Sequence, residues 1–404
     1  MGVWLRVSLF FETIRAGCGN FDFPPRVYRG TLITSFWENI MDFGLFNILQ
    51  QRDRAKDSRA IINESIEQTR AAERLGFAHA WFVEHHFSNY SLCPSPLTMA
   101  AYAAGVTEKI RLGTAVLVPP LHTPARLLAE IAVVDTLSNG RLDLGVGSGY
   151  QTYEFERFGV DIENHKAMTN EMLDMMELGL ANPNFSYDGE FYQQPPTAIN
   201  VRPVQTPHPP IWNASKDAES VGRAARKGYN QFFSSRFASL EELVPVRNFM
   251  DKTFQENGRD PDTMRLGLLS YCCISDDPAV VDDYIENCRF QQRIARSLRE
   301  RRESMEDDYW VEETPFDAEP SLAEAAEHVL AGDVKTVTER AVAIIREVRP
   351  SHMTFYFQVG AVPQETAIRS MERWVNEVIP SIEKALGAPI ASINEPKPLR
   401  DAAE

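Results

Sequence analysis

The strongest constraint on the fold is an alternation that begins at Asp42 and runs almost to the C-terminal tail. Short apolar runs of strand length recur between longer segments with helical periodicity. The strand-like runs are Phe43–Ile48, His79–Val83, Ile110–Val118, Leu142–Val146, Pro210–Ala214, Tyr229–Phe233, Leu266–Ile274 and His352–Phe357. Strands separated by amphipathic helices run parallel and are covered by those helices. Eight such units close a ring, so the expected fold is α/β, a (β/α)8 TIM barrel spanning residues 41–386.

The intervening segments carry helical stripes. Ser58–Leu75 places Ile61, Ile62, Ile66, Ala72 and Leu75 on one face and stops at Gly76, a suitable C-terminal cap. Further helices are expected over Pro94–Gly105, Pro124–Leu137, Asn164–Leu180, Asp217–Lys227, Leu240–Glu256 and Pro363–Leu386. The methionines Met168, Met172, Met175 and Met176 read as core packing.

Insertions follow the fourth and seventh strands. Phe185–Pro209 contains Asp188-Gly189 at the turn of an expected hairpin. The stretch 275–333 holds Arg289, Arg293, Arg296, Arg299, Arg301 and Arg302, then an acidic run over 306–313. It reads either as a solvated charged helix and loop or as a lid, since a long connection after a barrel strand lies at the face that carries barrel active sites.

The ends read differently. Residues 1–40 lack a period and form an irregular extension, with Met41 as an alternative natural start and no signal-peptide pattern. From Gly387 the chain is polar and Pro-rich and reads as a flexible tail. The five cysteines have irregular spacing without a C-x-x-C pair, which argues against a disulfide framework or a zinc site and fits a cytoplasmic protein. A net charge of −16 argues against nucleic acid or an anionic membrane as partner. No apolar run reaches membrane-spanning length.

Barrel chemistry gathers at strand C-termini. Strand two ends in Glu84-His85-His86, a carboxylate beside two imidazoles that can give or take protons near neutral pH. Alternation along a strand puts Glu84 and His86 on one side and His85 on the other. A metal reading fails for want of ligands, since only His122 lies near and no H-E-x-x-H occurs. The plainer alternative is a pair of histidines hydrogen-bonded in a loop. Strand four ends in Gly145-Val146-Gly147-Ser148-Gly149-Tyr150. It lacks the acidic partner of a dinucleotide fingerprint, but its bare backbone admits a phosphate or a flat ring. Asn213-Ala214-Ser215 precedes a helix and is either an anion site or an ordinary N-cap.

Together with Phe43–Phe46, Ile110–Val116, Asp135–Leu142, Glu154-Phe155 and Phe158-Gly159, these segments resemble the luciferase-like flavin-dependent monooxygenases, including the bacterial luciferase α chain, over Met41 to about Leu386. The resemblance implies that reduced FMN, supplied by a separate flavin reductase, binds at the strand C-termini. Oxygen then adds to the ring, and the C4a-peroxyflavin oxygenates a small organic substrate. His85 is the implied acid or base, supported by Glu84 and His86. Ala115 and Val116 pack on the ring at a step that holds a non-proline cis peptide in relatives. Gly147, Ser148, Gly149, Tyr150, Gln151, Asn213, Ala214 and Ser215 complete the cofactor site. Ser148 and Gln151 depart from luciferase, which has an arginine and a tyrosine there, so the phosphate contact falls more on Asn213–Ser215. A homodimer through the second and third barrel helices is implied, where the small residues 100–105 suit close contact. Alternatives are a deazaflavin-dependent hydride-transfer oxidoreductase on the same barrel and a non-catalytic flavin-binding subunit.

Overall fold

The structure, a computed structural model, describes residues 41–307 and 309–392. The expected extension 1–40 and the tail beyond Ser392 lie outside the described residues. The strands are β1 (Asp42–Asn47), β2 (His79–Phe82), β3 (Arg111–Leu117), β4 (Leu142–Val146), β5 (Ile211–Asn213), β6 (Asn230–Ser234), β7 (Leu266–Ile274) and β8 (His352–Tyr356). Each pairs in parallel with the next, and β8 pairs with β1, which closes the ring. Leu330–Gly332 adds a short ninth strand in parallel beside the C-terminal part of β7, and closure of the other eight leaves one face of each for the interior.

The interior is packed by exchanging large side chains for glycines across the ring. A Cβ at Gly113 on β3 would meet the Trp81 ring at 2.1 Å, and one at Gly267 on β7 would meet Phe232 at 2.4 Å. Those glycines supply the volume that Trp81 and Phe232 fill. The strand N-termini carry a polar floor. Asp42, His79, Asp143 and His352 are the first or second residues of β1, β2, β4 and β8. Trp81 Nε1 donates to His352 Nε2 (2.9 Å), Trp212 Nε1 donates to Asp143 Oδ1 (3.0 Å), and Arg265 pairs with Asp42 at 3.2 Å. The Trp212 indole and Arg265 thus satisfy carboxylates that burial would otherwise penalise, and the Trp81 indole satisfies an imidazole.

The outer ring consists of α1 (Ser58–Leu75), α2 (Pro96–Ala104), α3 (Pro124–Leu137), α4 (Thr152–Phe158), α5 (His165–Ala181), α6 (Ala218–Lys227), α7 (Leu240–Glu256), α8 (Pro278–Glu300), α9 (Leu322–His328), α10 (Val334–Val348), α11 (Gln364–Arg373) and α12 (Ile379–Leu386). The expected helix Pro363–Leu386 is broken by a π turn at Trp374–Val378. Pro380 follows that turn and has no N–H to continue an α-helical ladder, so the chain re-registers before it. The sequence reading missed α10, whose Val337, Ala341, Ile344, Ile345 and Val348 form a buried stripe. It covers the barrel between β7 and β8, while the insertion before it does other work.

That insertion is tied down at both ends. On α8, Tyr284, Cys288, Phe290, Ile294 and Leu298 are buried, and Arg289 and Arg293 face Glu286 and Glu319 at 2.7–2.8 Å. These arginines sit in a network of ion pairs that orients α8. The segment beyond it grips the loop after β2, because Asn89 N donates to Tyr309 O (3.0 Å) and Val311 N donates to Asn89 Oδ1 (2.9 Å). The first insertion forms the hairpin Phe185–Asp188 and Gln193–Thr197, closed by Gly189 N to Tyr192 O at 2.9 Å. Among the described residues no helix is long and apolar enough to cross a membrane. The described cysteines Cys93, Cys272, Cys273 and Cys288 are buried thiols.

Candidate active site

Hydrogen bonds across the strand C-termini gather the candidate residues. Val118 N, just past β3, donates to Glu84 Oε2 (2.9 Å). Gly147 N donates to Leu117 O (3.1 Å), and Ala214 N donates to Val146 O (2.9 Å). The mouth is therefore one continuous surface from the end of β2 to the end of β5. Between Thr114 and Leu117 the β3–β4 register shifts, and the Ala115–Val116 peptide there is cis. Val116 packs against the α-carbon of Gly147, where a Cβ would lie 2.9 Å from Val116 Cγ2.

The Glu84-His85-His86 tripeptide divides as alternation predicts. Glu84 Oε1 accepts from His86 Nε2 (3.0 Å) and from His122 Nε2 (2.8 Å). Burial opposes the charge of Glu84, but the bonds from His122, His86 and Val118 N outweigh it and hold its carboxyl below the usual range. Burial likewise disfavours a charged His122, and the Glu84 carboxylate more than offsets it, raising the imidazole. His85 turns the other way. Its Nδ1 meets Glu154 Oε1 at 3.0 Å, and the same oxygen accepts from His86 N at 2.7 Å. A carboxylate on Nδ1 selects the tautomer with its proton there and leaves Nε2 as the acceptor. Tyr90 and Tyr150 pack edge-on against the His85 ring, with centroids 4.6 and 5.9 Å away.

Glu154 was outside the predicted site set, yet its carboxylate holds the His85 ring. Its signal was a carboxylate on the buried face of the short helix α4, immediately after the Gly-rich turn. Glu84 bonds both His86 and His122, and with Val118 N it braces the ends of β2 and β3.

A separate cleft lies at the ends of β4 and β5. It is lined by Gly147, Ser148, Asn213 and Ser215 from the predicted set, with Lys166, Ser220 and Arg223. The sequence reading left this end short of a cation. Lys166 and Arg223 come from α5 and α6, and both lie far along the chain from Ser148. Lys166 Nζ is 3.5 Å from Asp217, and Arg223 pairs with Asp174 at 2.6 Å while its Nε has no hydrogen-bond partner. The N-terminus of α6 itself is closed, because Asp217 Oδ1 caps Ser220 N at 3.0 Å. Bonds from Ser215 and Ser220 overcome burial and hold Asp217 down to about 2. Anion affinity in this cleft therefore rests on Lys166, Arg223 and hydroxyls more than on the helix end.

Ala115 and Val116 on β3, with Tyr150, Gln151 and Ala214 just past β4 and β5, lie outside the lining of that cleft. Gln151 is fully buried, donates to the Tyr150 hydroxyl (3.4 Å) and keeps Oε1 without a partner. An orphaned amide oxygen, a side-chain-free Gly-rich turn and a cation-lined cleft fit a planar ring carrying N–H groups and a phosphate tail.

The profile of the luciferase-like monooxygenase family matches residues 41–351. A Sinorhizobium fredii protein, y4vJ, is 42% identical over 86% of this chain and 99% of its own length. The oxygenase component of the flavin-dependent trigonelline monooxygenase of Acinetobacter baylyi is 31% identical over 58% of this chain and 66% of its own. Among solved structures, the oxygenating constituent of 3,6-diketocamphane monooxygenase from Pseudomonas putida, in complex with FMN, superposes with a TM-score of 0.68 at 19% identity, covering 85% and 99% of the two chains. An F420-dependent secondary alcohol dehydrogenase gives 0.65 at 16% identity with the same coverage. At these identities the structural matches speak for the fold alone.

Proposed function

The chain belongs to the luciferase-like monooxygenase family, and from that premise we propose that it is an FMN-dependent monooxygenase that oxygenates a small organic substrate. The observation that carries the reading is the His85 imidazole held through Nδ1 by the buried Glu154 at the barrel mouth. Reduced FMN supplies, when bound, the electrons with which O2 is activated. Ser148, Lys166, Ser215 and Arg223 would hold its phosphate, Ala115, Val116, Gly147, Gly149, Tyr150 and Gln151 would border its ring, and Asn213 and Ala214 would lie between the two groups of residues. His85 takes or gives a proton at Nε2, while Glu154 fixes the ring and stabilises the imidazolium. Glu84 and His86, with His122, keep the β2 and β3 ends in place and limit water beside His85.

A separate reductase delivers the reduced flavin, a reading supported by the oxygenase-component name of the Acinetobacter relative. The exposed side chains Tyr102, Val106, Val133 and Leu137 on and beside α2 and α3 support a homodimer through those helices. The F420-dependent relative on the same fold supports a second reading, hydride transfer with a deazaflavin.

Titration with reduced FMN and with F420, followed by oxygen uptake in the presence of a flavin reductase and a substrate panel, tests the choice. The expected result is tighter binding of reduced FMN and substrate-dependent oxygen uptake. Tighter binding of F420 without oxygen uptake overturns the monooxygenase reading.

A further inference from the structure

Just past the C-terminal end of β6 stands a cation that makes no ion pair among the described residues. Arg236 lies two residues beyond β6, and its backbone has a φ of +47°, a left-handed conformation that bulky side chains seldom adopt. The turn is held by Ser235, whose N–H donates to Leu269 O (2.8 Å) and whose hydroxyl meets that of Ser270 (2.9 Å). The half-buried guanidinium interacts electrostatically with four tyrosines, Tyr90 and Tyr150 in the loops after β2 and β4, Tyr271 within β7 and Tyr356 at the end of β8. No carboxylate among the described residues pairs with it. Burial pushes the hydroxyls of Tyr90, Tyr271 and Tyr356 upward, so they stay neutral hydrogen-bond donors at physiological pH.

A second, exposed cation lies in the field of Arg236. Lys216 follows β5, sits 5.7 Å from the Phe233 ring centroid and makes no ion pair among the described residues. Burial and the like charge of Arg236 both lower its pKa. A half-buried guanidinium among neutral hydroxyls, with no carboxylate paired to it and an exposed ammonium in its field, is a ready partner for an anion. Tyr90 and Tyr150 join this cluster to the chemistry, because they contact each other (3.3 Å between hydroxyls) and pack on His85. The roof comes from α8, where Gln291 Nε2 donates to Tyr90 (3.4 Å) and Gln292 Nε2 donates to Tyr271 (2.6 Å).

We propose that Arg236, with Lys216 beside it, is the recognition site for the carboxylate of the substrate, which makes the substrate class a small organic acid. The inference rests on the flavin reading for the position of the reaction. An oxyanion is the shared chemistry, and it has two sources, a substrate carboxylate or the cofactor phosphate. The carboxylate is favoured because Ser148, Lys166 and Arg223 already line a distinct cleft for a phosphate. Arg236 also shares its tyrosines with His85. A guanidinium takes a carboxylate through two parallel bonds, and the tyrosine hydroxyls add donors to its outer oxygens.

The test compares benzoate with benzamide, and hexanoate with hexanamide, by calorimetry on the FMN-loaded protein and on the same protein without flavin. In the wild type at least one acid should bind about tenfold or more tighter than its amide. Arg236→Gln should erase that preference with FMN affinity unchanged, and Arg236→Lys should keep part of it. The proposal is overturned if no acid is preferred over its amide, or if the preference survives in Arg236→Gln. It is also overturned if Arg236→Gln weakens FMN binding to the same degree, since the residue then serves the phosphate. Failure of the protein to bind FMN at all would sink the flavin reading, and the acid preference would still be read on the flavin-free protein.

Discussion

At the residue scale, the site works by pairing each imidazole with a buried carboxylate. A charge-assisted bond of this kind is stronger than a neutral one, and here it also sets direction. Glu154 decides which nitrogen of His85 carries the proton, and Glu84 decides the orientation of His86 and His122. Replacing His85 with alanine should lower turnover by roughly 10²–10⁴, the usual scale for a proton-transfer residue, with flavin affinity retained. Steady-state rates and FMN titration of the His85→Ala protein check this, and an unchanged rate removes His85 from the mechanism. Glu154→Gln is the sharper probe of a positioning role. It should lower kcat by less than loss of His85 does, with KM and flavin affinity retained, because the ring loses the acceptor that fixes its orientation. A parallel loss of flavin affinity or of folding stability would mean that Glu154 acts only through packing.

At the element scale, the strands are specified by what stands opposite them in the closed ring. β3 is short of bulk at Gly113 because β2 brings Trp81 to that level. Gly113→Ala forces a methyl to within 2.1 Å of the unrelaxed indole. We expect a loss of about 1–3 kcal/mol, the common range for overpacking a filled core, measured as a shift in the urea midpoint. Unchanged stability would show that Trp81 can move aside without strain. The same element logic explains α8. Its sequence is rich in arginine, and a composition-based reading sends it to solvent. The arginines instead pair with Glu286, Glu313 and Glu319, and the apolar stripe lies over the β7 end of the barrel. Glu286 on the helix itself, with Glu313 and Glu319 from beyond it, makes that burial possible for Arg289 and Arg293.

At the scale of the whole molecule, the two ends of the barrel respond to pH with opposite sign. In the floor, burial pushes His352 down to about 4 despite the opposing pull of Asp42. The unfolded chain then binds a proton near 6.5 that the folded chain refuses. Stability should therefore fall as pH drops from 6.5 toward 4, by at most about 1.4 kcal/mol per pH unit. At the mouth the raised His122 contributes fully below its ordinary value of 6.5 and loses that contribution as pH rises through its folded value. Denaturant midpoints across pH 4–9 should show a maximum near neutrality, and His352→Gln should flatten the acid side. An acid limb of the same slope in that variant would assign the effect to other groups.

Much of this architecture is local information. Strand and helix periods are set by a few neighbouring residues, so the eight strands, the hairpin turn at Asp188-Gly189 and the Glu84-His85-His86 tripeptide could be read directly from the chain. The opposed directions of His85 and His86 follow from the period of an extended backbone. What only the closed barrel decided are the encounters between strand ends. Glu154 reaches His85 across 69 residues, Lys166 and Arg223 line the cleft beside Ser148, and Arg236 lies in the field of tyrosines from four other segments. Such contacts depend on register and on the order in which strands close the ring. A one-dimensional pattern supplies the residues for the mouth, and the geometry of closure chooses which of them touch.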